Sequence, residues 1–284
     1  MTTITPPLSH PSQRARSTSL TFGGVLRSEW IKLRSLRSTT WSYAIVIAIS
    51  LGMALIMSLS TSDGMNGGAA ASGAPAEQQV GLLVQSSVFG VYFGQLVAGV
   101  LGVLVISGEY TTGMIRSTLT AVPKRLPALA AKAAVLFAST FVVGLVALLG
   151  GYLVSSIVLA GIGVSASLGE PAAFLPLLGG ALYLALIAVF ALGIGTMLRS
   201  SAGGIAAVLG LILLVPTVLQ MIPAEWAHDL IPYLLSSAGM NMFTSTTAEA
   251  TADGFGVWLN LLIVLGWVGA SIAGAAVLLK RRDA

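Results

Sequence analysis

Few residues in this chain could do chemistry, and the densest set is Glu109, Arg116, Lys124 and Arg125 within residues 106–125, ISGEYTTGMIRSTLTAVPKR. One carboxylate, three cations and nearby glycines and prolines suit a segment that is held, rather than one that cleaves or transfers bonds. Other chemistries fall away in turn. There are no cysteines, which removes disulfides, thiolate catalysis and cysteine metal sites. Two histidines, His10 and His228, cannot build a multi-histidine centre. Glu225, His228 and Asp229 lie close in sequence, but with one histidine and no second ligand cluster they read as a solvated helix face. Lys32, Lys124, Lys132 and Lys280 all lack the G-x-x-x-x-G-K-[ST] context, so no phosphate-cradling loop is encoded. No H-E-x-x-H and no paired intramembrane aspartates occur. Gln95 is the best polar candidate inside an apolar run, either joining helices or lining a path. No cofactor and no metal are expected.

The elements that must position these residues follow from composition. Hydrophobic residues make up 56% and charged residues 8% of 284 positions, whereas soluble domains carry roughly 25% charged residues. A bilayer core about 30 Å thick is crossed by roughly 20 apolar helical residues. Six stretches qualify, at about 39–59, 86–107, 133–160, 174–198, 203–222 and 256–279. The expected fold is all-α: a polytopic membrane protein of six transmembrane helices.

Charge sets the expected direction. With six spans, all 14 Lys and Arg fall on one side: six before span one, then Arg116, Lys124, Arg125 and Lys132, then Arg199, then Lys280, Arg281 and Arg282. The other side carries Asp63, Glu77, Glu170, Glu225, Asp229, Glu249 and Asp253. The positive-inside rule places both termini in the cytoplasm of a multi-pass plasma-membrane protein. This placement accounts for the +4 net charge without a nucleic-acid partner. The basic flank of span one is about 38 residues long, so a retained anchor is expected in place of a cleaved signal peptide.

Residues 1–20 are polar and read as a disordered cytoplasmic tail, leaving 21–284 as the transmembrane domain. Over 22–37, Phe22, Leu26, Trp30 and Leu33 recur at helical spacing opposite Arg27 and Arg34, predicting an amphipathic interfacial helix on membrane lipid. Glu29 lies inside the apolar arc, with Lys32 three residues on as its partner. The segment 61–79 reads as a flexible outer loop. Between spans five and six, Pro223 and Pro232 predict two short helices that dip re-entrantly against the outer face. Small residues at Gly90 and Gly94, and at Gly266, Ala270 and Gly274, are candidate close-packing positions. Pro216 predicts a kink or hinge in span five.

The charged segment itself reads as a short helix parallel to the membrane. Ser107 is placed as its N-cap and Glu109 in its first turn. Ile115, Leu119 and Val122 form an apolar stripe, Arg116 projects elsewhere, Pro123 stops the helix, and Gly113 leaves a side without bulk. A plainer alternative is a basic loop that only sets topology. With no energy-coupling chemistry of its own, the chain is expected to borrow energy through a cytoplasmic surface.

SEWIKLRS before span one, with SGEYTTGMIRSTLTAVPKR after span two, resembles permease subunits of the ABC-2 transporter superfamily, the type V ABC exporter transmembrane domain. The resemblance implies that Glu109, Gly113, Leu119 and Pro123 occupy the glutamate–glycine–leucine–proline pattern of the family's coupling helix, with Arg116 beside it. EYTTGM is less charged than the family's usual stretch around that glutamate. It also implies a separate ATP-binding subunit, and a second permease, identical or paralogous, paired through spans one, two and five. ATP hydrolysis would then belong to the partner chain, and the function would be that of an ATP-driven exporter permease. Alternatives from other classes are a non-transporting membrane anchor or resistance module, and an intramembrane enzyme, for which catalytic groups are missing.

Overall fold

A computed structural model describes residues 21–64, 73–114, 125–244 and 255–281. Most of the described residues are helical, and no strand occurs among them. A helix satisfies its backbone polar groups internally, as a segment surrounded by hydrocarbon requires.

In chain order the helices are α1 (Phe22–Ser35), α2 (Arg37–Gly64), α3 (Ala76–Val88), α4 (Val91–Thr111), α5 (Arg125–Ala160), α6 (Pro171–Leu198) and α7 (Ser201–Leu209). A π turn (Gly210–Leu214) leads to α8 (Val215–Met221). Then come α9 (Glu225–Leu230), a 3-10 turn (Ile231–Tyr233), α10 (Leu235–Thr244) and α11 (Val257–Arg281). Six helical stretches are long and apolar enough to cross a membrane: Arg37–Gly64, Ala76–Thr111, Leu126–Ala160, Pro171–Leu198, Ser201–Met221 and Val257–Arg281. The second begins earlier than hydropathy alone predicts. Residues 76–79, read as loop, start α3, which gives way to α4 at the turn around Phe89 and Gly90.

Span four is the centre. Of its most apolar window 78% is buried, against 17% for span five. α6 packs on α4, α5 and α11, and small residues allow the approach. A Cβ on Gly102 would run into the Ala188 carbonyl oxygen and lie 2.8 Å from the Ala191 Cβ. A Cβ on Gly90 would fall 2.5 Å from Ser50 Cα, so α4 and α2 nearly touch by backbone there. The other candidate packing positions divide: Gly94 faces Leu184 and Gly274 faces the Met197 sulfur, whereas Gly266 has nothing within 4 Å.

In span five, Pro216 cannot donate to the carbonyl four residues earlier. The ladder shifts just upstream, where the Val215 N–H reaches Gly210 O in the π turn. Beyond it, α9 starts at Glu225, two residues later than a Pro223 start implies, because Ala224 is the extended N-cap. Pro232 sits in the 3-10 turn. α10 packs on α6 and α11, with Phe243 buried beside Gly179 and the Tyr183 ring. Glu225, His228 and Asp229 are exposed, and no metal-holding cluster occurs among the described residues.

The turn from span four to span five is made by Arg199, at φ 53°, the one non-glycine residue with positive φ among those described. Its N–H closes the helix on Gly195 O. This left-handed position costs a residue with a β-carbon roughly 1–2 kcal/mol, and glycine is its usual occupant. Ser200 then caps α7, its side chain accepting from the Gly203 N–H at 3.2 Å.

Candidate functional site

Glu29 on α1, Glu109 near the end of α4 and Lys132 in the second turn of α5 meet in a buried ionic ring closed by Lys32. Lys132 Nζ donates to Glu29 Oε2 at 2.6 Å and to Glu109 Oε1 at 2.8 Å. Lys32 Nζ donates to Glu29 Oε1 at 2.8 Å and to Glu109 Oε1 at 3.3 Å. The two carboxylates and two ammonium groups sum to zero charge. Lys132 and both glutamates are buried, while the Lys32 side chain keeps 27% exposure. Glu109 Oε2 is buried and has no hydrogen-bond partner among the described residues.

Local sequence and packing together bring these groups to one place. Glu29 and Lys32 are neighbours on α1 because residues three apart share a helix face. Thr21 starts that helix, its hydroxyl accepting from the Gly24 N–H at 3.3 Å. The buried line of α1 is Val25, Glu29 and Leu33, so the apolar stripe read from periodicity divides between this buried side and the surface. Phe22 and Trp30 point outward, together with Ile31. The ionic contacts of Glu29 set the rotation of α1, since a buried carboxylate without partners is costly. The helix also ends at Ser35, with Leu36 extended and Arg37 opening α2, so 22–37 is not one continuous helix.

Burial by itself would push the Glu29 carboxyl up. The charge and hydrogen bond of Lys132, then those of Lys32, outweigh it, and the group is held below the usual carboxylate value. For Lys32, burial opposes the charged form. The Glu29 hydrogen bond and the negative charges of Glu109 and Glu29 prevail, raising it above the ordinary lysine value. Both groups therefore stay ionised across neutral pH.

Ser107 and Glu109 correct a second expectation. They do not begin a new helix: α4 continues through both to Thr111, which places Glu109 in its last turns, facing inward. Ser107 accepts from the Ser201 hydroxyl at 2.9 Å instead of capping. Gly113 follows at φ +72°, where glycine is favoured, and nothing lies within 4 Å of a Cβ there. The absence of bulk at Gly113 thus matches a backbone need. The coupling-helix positions Arg116, Leu119 and Pro123, with Ile115, Val122 and Lys124, lie outside the described residues, as does the 1–20 tail.

Gln95 is buried on α4 and belongs to a side-chain pair. It accepts from Tyr183 Oη on α6 at 2.6 Å, and its Nε2 donates to Tyr92 O at 3.1 Å. In this arrangement it joins two helices. Pro216 stands just beyond the π turn of span five.

Lys132 is the residue that sequence reasoning passed over, counting it only as a topological cation. One signal was available: it is the basic residue nearest the start of an apolar run, so its charge needed a partner. Each of the four charges of the ring has an ion-pair partner of opposite sign. The ring can hold three helix ends in one register.

Comparison with known proteins agrees with this picture. No curated protein matches the chain. A family model described as ABC-2 family transporter protein matches residues 25–217, from α1 into α8 near the end of span five. Members of that family are membrane permease components that work with an ABC ATP-binding subunit and do not carry the ATPase site. With six helices able to span a bilayer and a match covering well over half of its length, this chain belongs to the ABC-2 family, as the multi-pass permease subunit of an ABC transporter.

Proposed function

We propose that this permease is an exporter subunit of the plasma membrane, with both termini cytoplasmic, moved by an ATP-binding subunit that presses on the segment leaving α4. Its partner across the pathway is a second permease, either another copy or a paralogue. The observation that carries this reading is the ionic ring at the end of α4. It fastens the helix that leads into the charged 106–125 segment to α1 and α5, so a push there moves three elements together. The gathering of all 14 Lys and Arg on one side supports the orientation. α1, with Phe22, Trp30 and Ile31 outward, suits the membrane interface.

Because ATP can shift the permease only if its two states hold the partner differently, the test is one of coupling. The permease is co-expressed with its ATP-binding subunit, purified as a complex and reconstituted in proteoliposomes. A stable complex is expected, with ATPase activity altered by transported compounds from a panel, and with nucleotide-dependent extrusion. Uphill movement by the permease alone, with no nucleotide-hydrolysing companion, would refute the reading.

A further inference from the structure

We propose that Arg199 is a positioning residue that clamps the turn between spans four and five onto the end of α4, so that span five follows α4 when the ATP-binding subunit moves it. The proposal rests on the reading of the α4 end as the point where force enters.

Three observations converge on this turn. First, the guanidinium of Arg199 lies over the Tyr110 ring, 5.3 Å from its centroid, and Tyr110 is the neighbour of Glu109 in the ring of charges. Second, Ser201 at the start of α7 donates to Ser107 at 2.9 Å, two residues before Glu109. Third, Arg199 occupies a left-handed position that glycine would fill without strain. A bulky cation at a glycine-favoured site is explained if its side chain has work to do, and the contact it makes is a cation over an aromatic face.

The consequence lies in span five. Its apolar window is 17% buried, and what packing it has is directed at α4 and α6, with Gly204 against Val103 and Val208 against Gly99. It contains a π turn and Pro216, where the regular hydrogen-bond ladder is already interrupted. A helix whose packed side lies on α4 moves with that helix when its first residues are fastened there, and the interrupted ladder lets the far end reorient as it does. Arg199 on Tyr110 and Ser201 on Ser107 add to that packing at the final turns of α4, where the force enters.

Because the chain has no cysteine, a single cysteine reports cleanly. Met221→Cys, at an exposed position at the far end of span five, is placed in the permease and assembled with its ATP-binding subunit in nanodiscs. Maleimide labelling is timed without nucleotide and after trapping with ATP and vanadate. Trapping is expected to change the labelling rate. Arg199→Gly and Tyr110→Ala should each shrink that change by roughly 2- to 30-fold, the range one cation–π contact supports. The double variant should do no worse than either single variant, and Arg199→Lys should retain the response.

A merely structural role predicts otherwise, because Arg199→Gly relaxes the turn. Its thermal stability and ATPase rate should therefore stay at or near the unaltered level while the span-five response is lost. An unchanged response in Arg199→Gly and Tyr110→Ala overturns the proposal, as does a span five that shows no nucleotide-dependent change at all. Gly113→Val, run alongside, decides the force-entry reading separately. If it abolishes the response while Arg199→Gly does not, that reading survives and only the clamp is lost. If it leaves the response intact, force does not enter through the α4 end, and the clamp proposal falls with it.

Discussion

Replacing Lys132 with methionine keeps an unbranched side chain in the space and removes the cation that both glutamates share. Its ammonium lies 2.6 Å from Glu29 and 2.8 Å from Glu109, so among the described residues the variant leaves two buried carboxylates facing Lys32 alone. Breaking a buried ion pair from one side typically costs about 3–5 kcal/mol. The chain can also escape by binding a proton on one carboxyl. From an ordinary glutamate value of about 4.3, protonation at pH 7 costs about 3.7 kcal/mol, and about 1 kcal/mol at pH 5. The two routes agree near neutrality, and the second sets a ceiling that falls with acid. Lys132→Met should therefore lose about 3–4 kcal/mol at pH 7 and recover most of it by pH 5. The unaltered protein should show no such gain. Its depressed Glu29 contributes fully above the usual carboxylate value, and that contribution is lost only as pH falls through the lowered one. The raised Lys32 contributes fully below the usual lysine value and fades only as pH rises through the raised one. Thermal unfolding in nanodiscs, followed by tryptophan fluorescence at pH 7 and pH 5, measures this directly. Glu109→Gln with Lys132→Met restores charge balance and should regain most of the loss at pH 7. Equal destabilisation at both pH values, with no recovery in the double variant, would refute the electrostatic account of the ring.

Three further outcomes are expected. Gly102→Ala drives a methyl group into the Ala188 carbonyl and should destabilise the α4–α6 contact by about 1–3 kcal/mol. Gly266→Ala, with open space around it, should be neutral or slightly stabilising in the same unfolding assay. For orientation, a cysteine at Ser167, exposed between spans three and four, should be labelled from outside intact cells. One at Ser35, exposed at the end of α1, should be labelled only after permeabilisation; the reverse pattern would overturn the orientation.

The spans were legible because hydrocarbon imposes a one-dimensional rule: about 20 apolar residues, with charges pushed to the ends. Such a rule can be read along the chain without knowing what packs where. The Glu29–Lys32 pair was legible for the same reason, since helical spacing is local. Lys132 meeting Glu29 across 103 residues is not local, and nothing near either residue in sequence announces the contact. Ser107 and Glu109 show how a local rule can mislead. A serine followed by a carboxylate reads as a helix start, yet the same residues continue a helix when packing keeps the previous one intact. Composition and order determined that this chain is a six-span helical membrane protein. Only tertiary packing decided which helix lies at the centre, which side of α1 turns inward and which four charges close a ring. Burial makes an unpaired charge too costly to leave alone, and the partner that relieves it can come from anywhere in the chain.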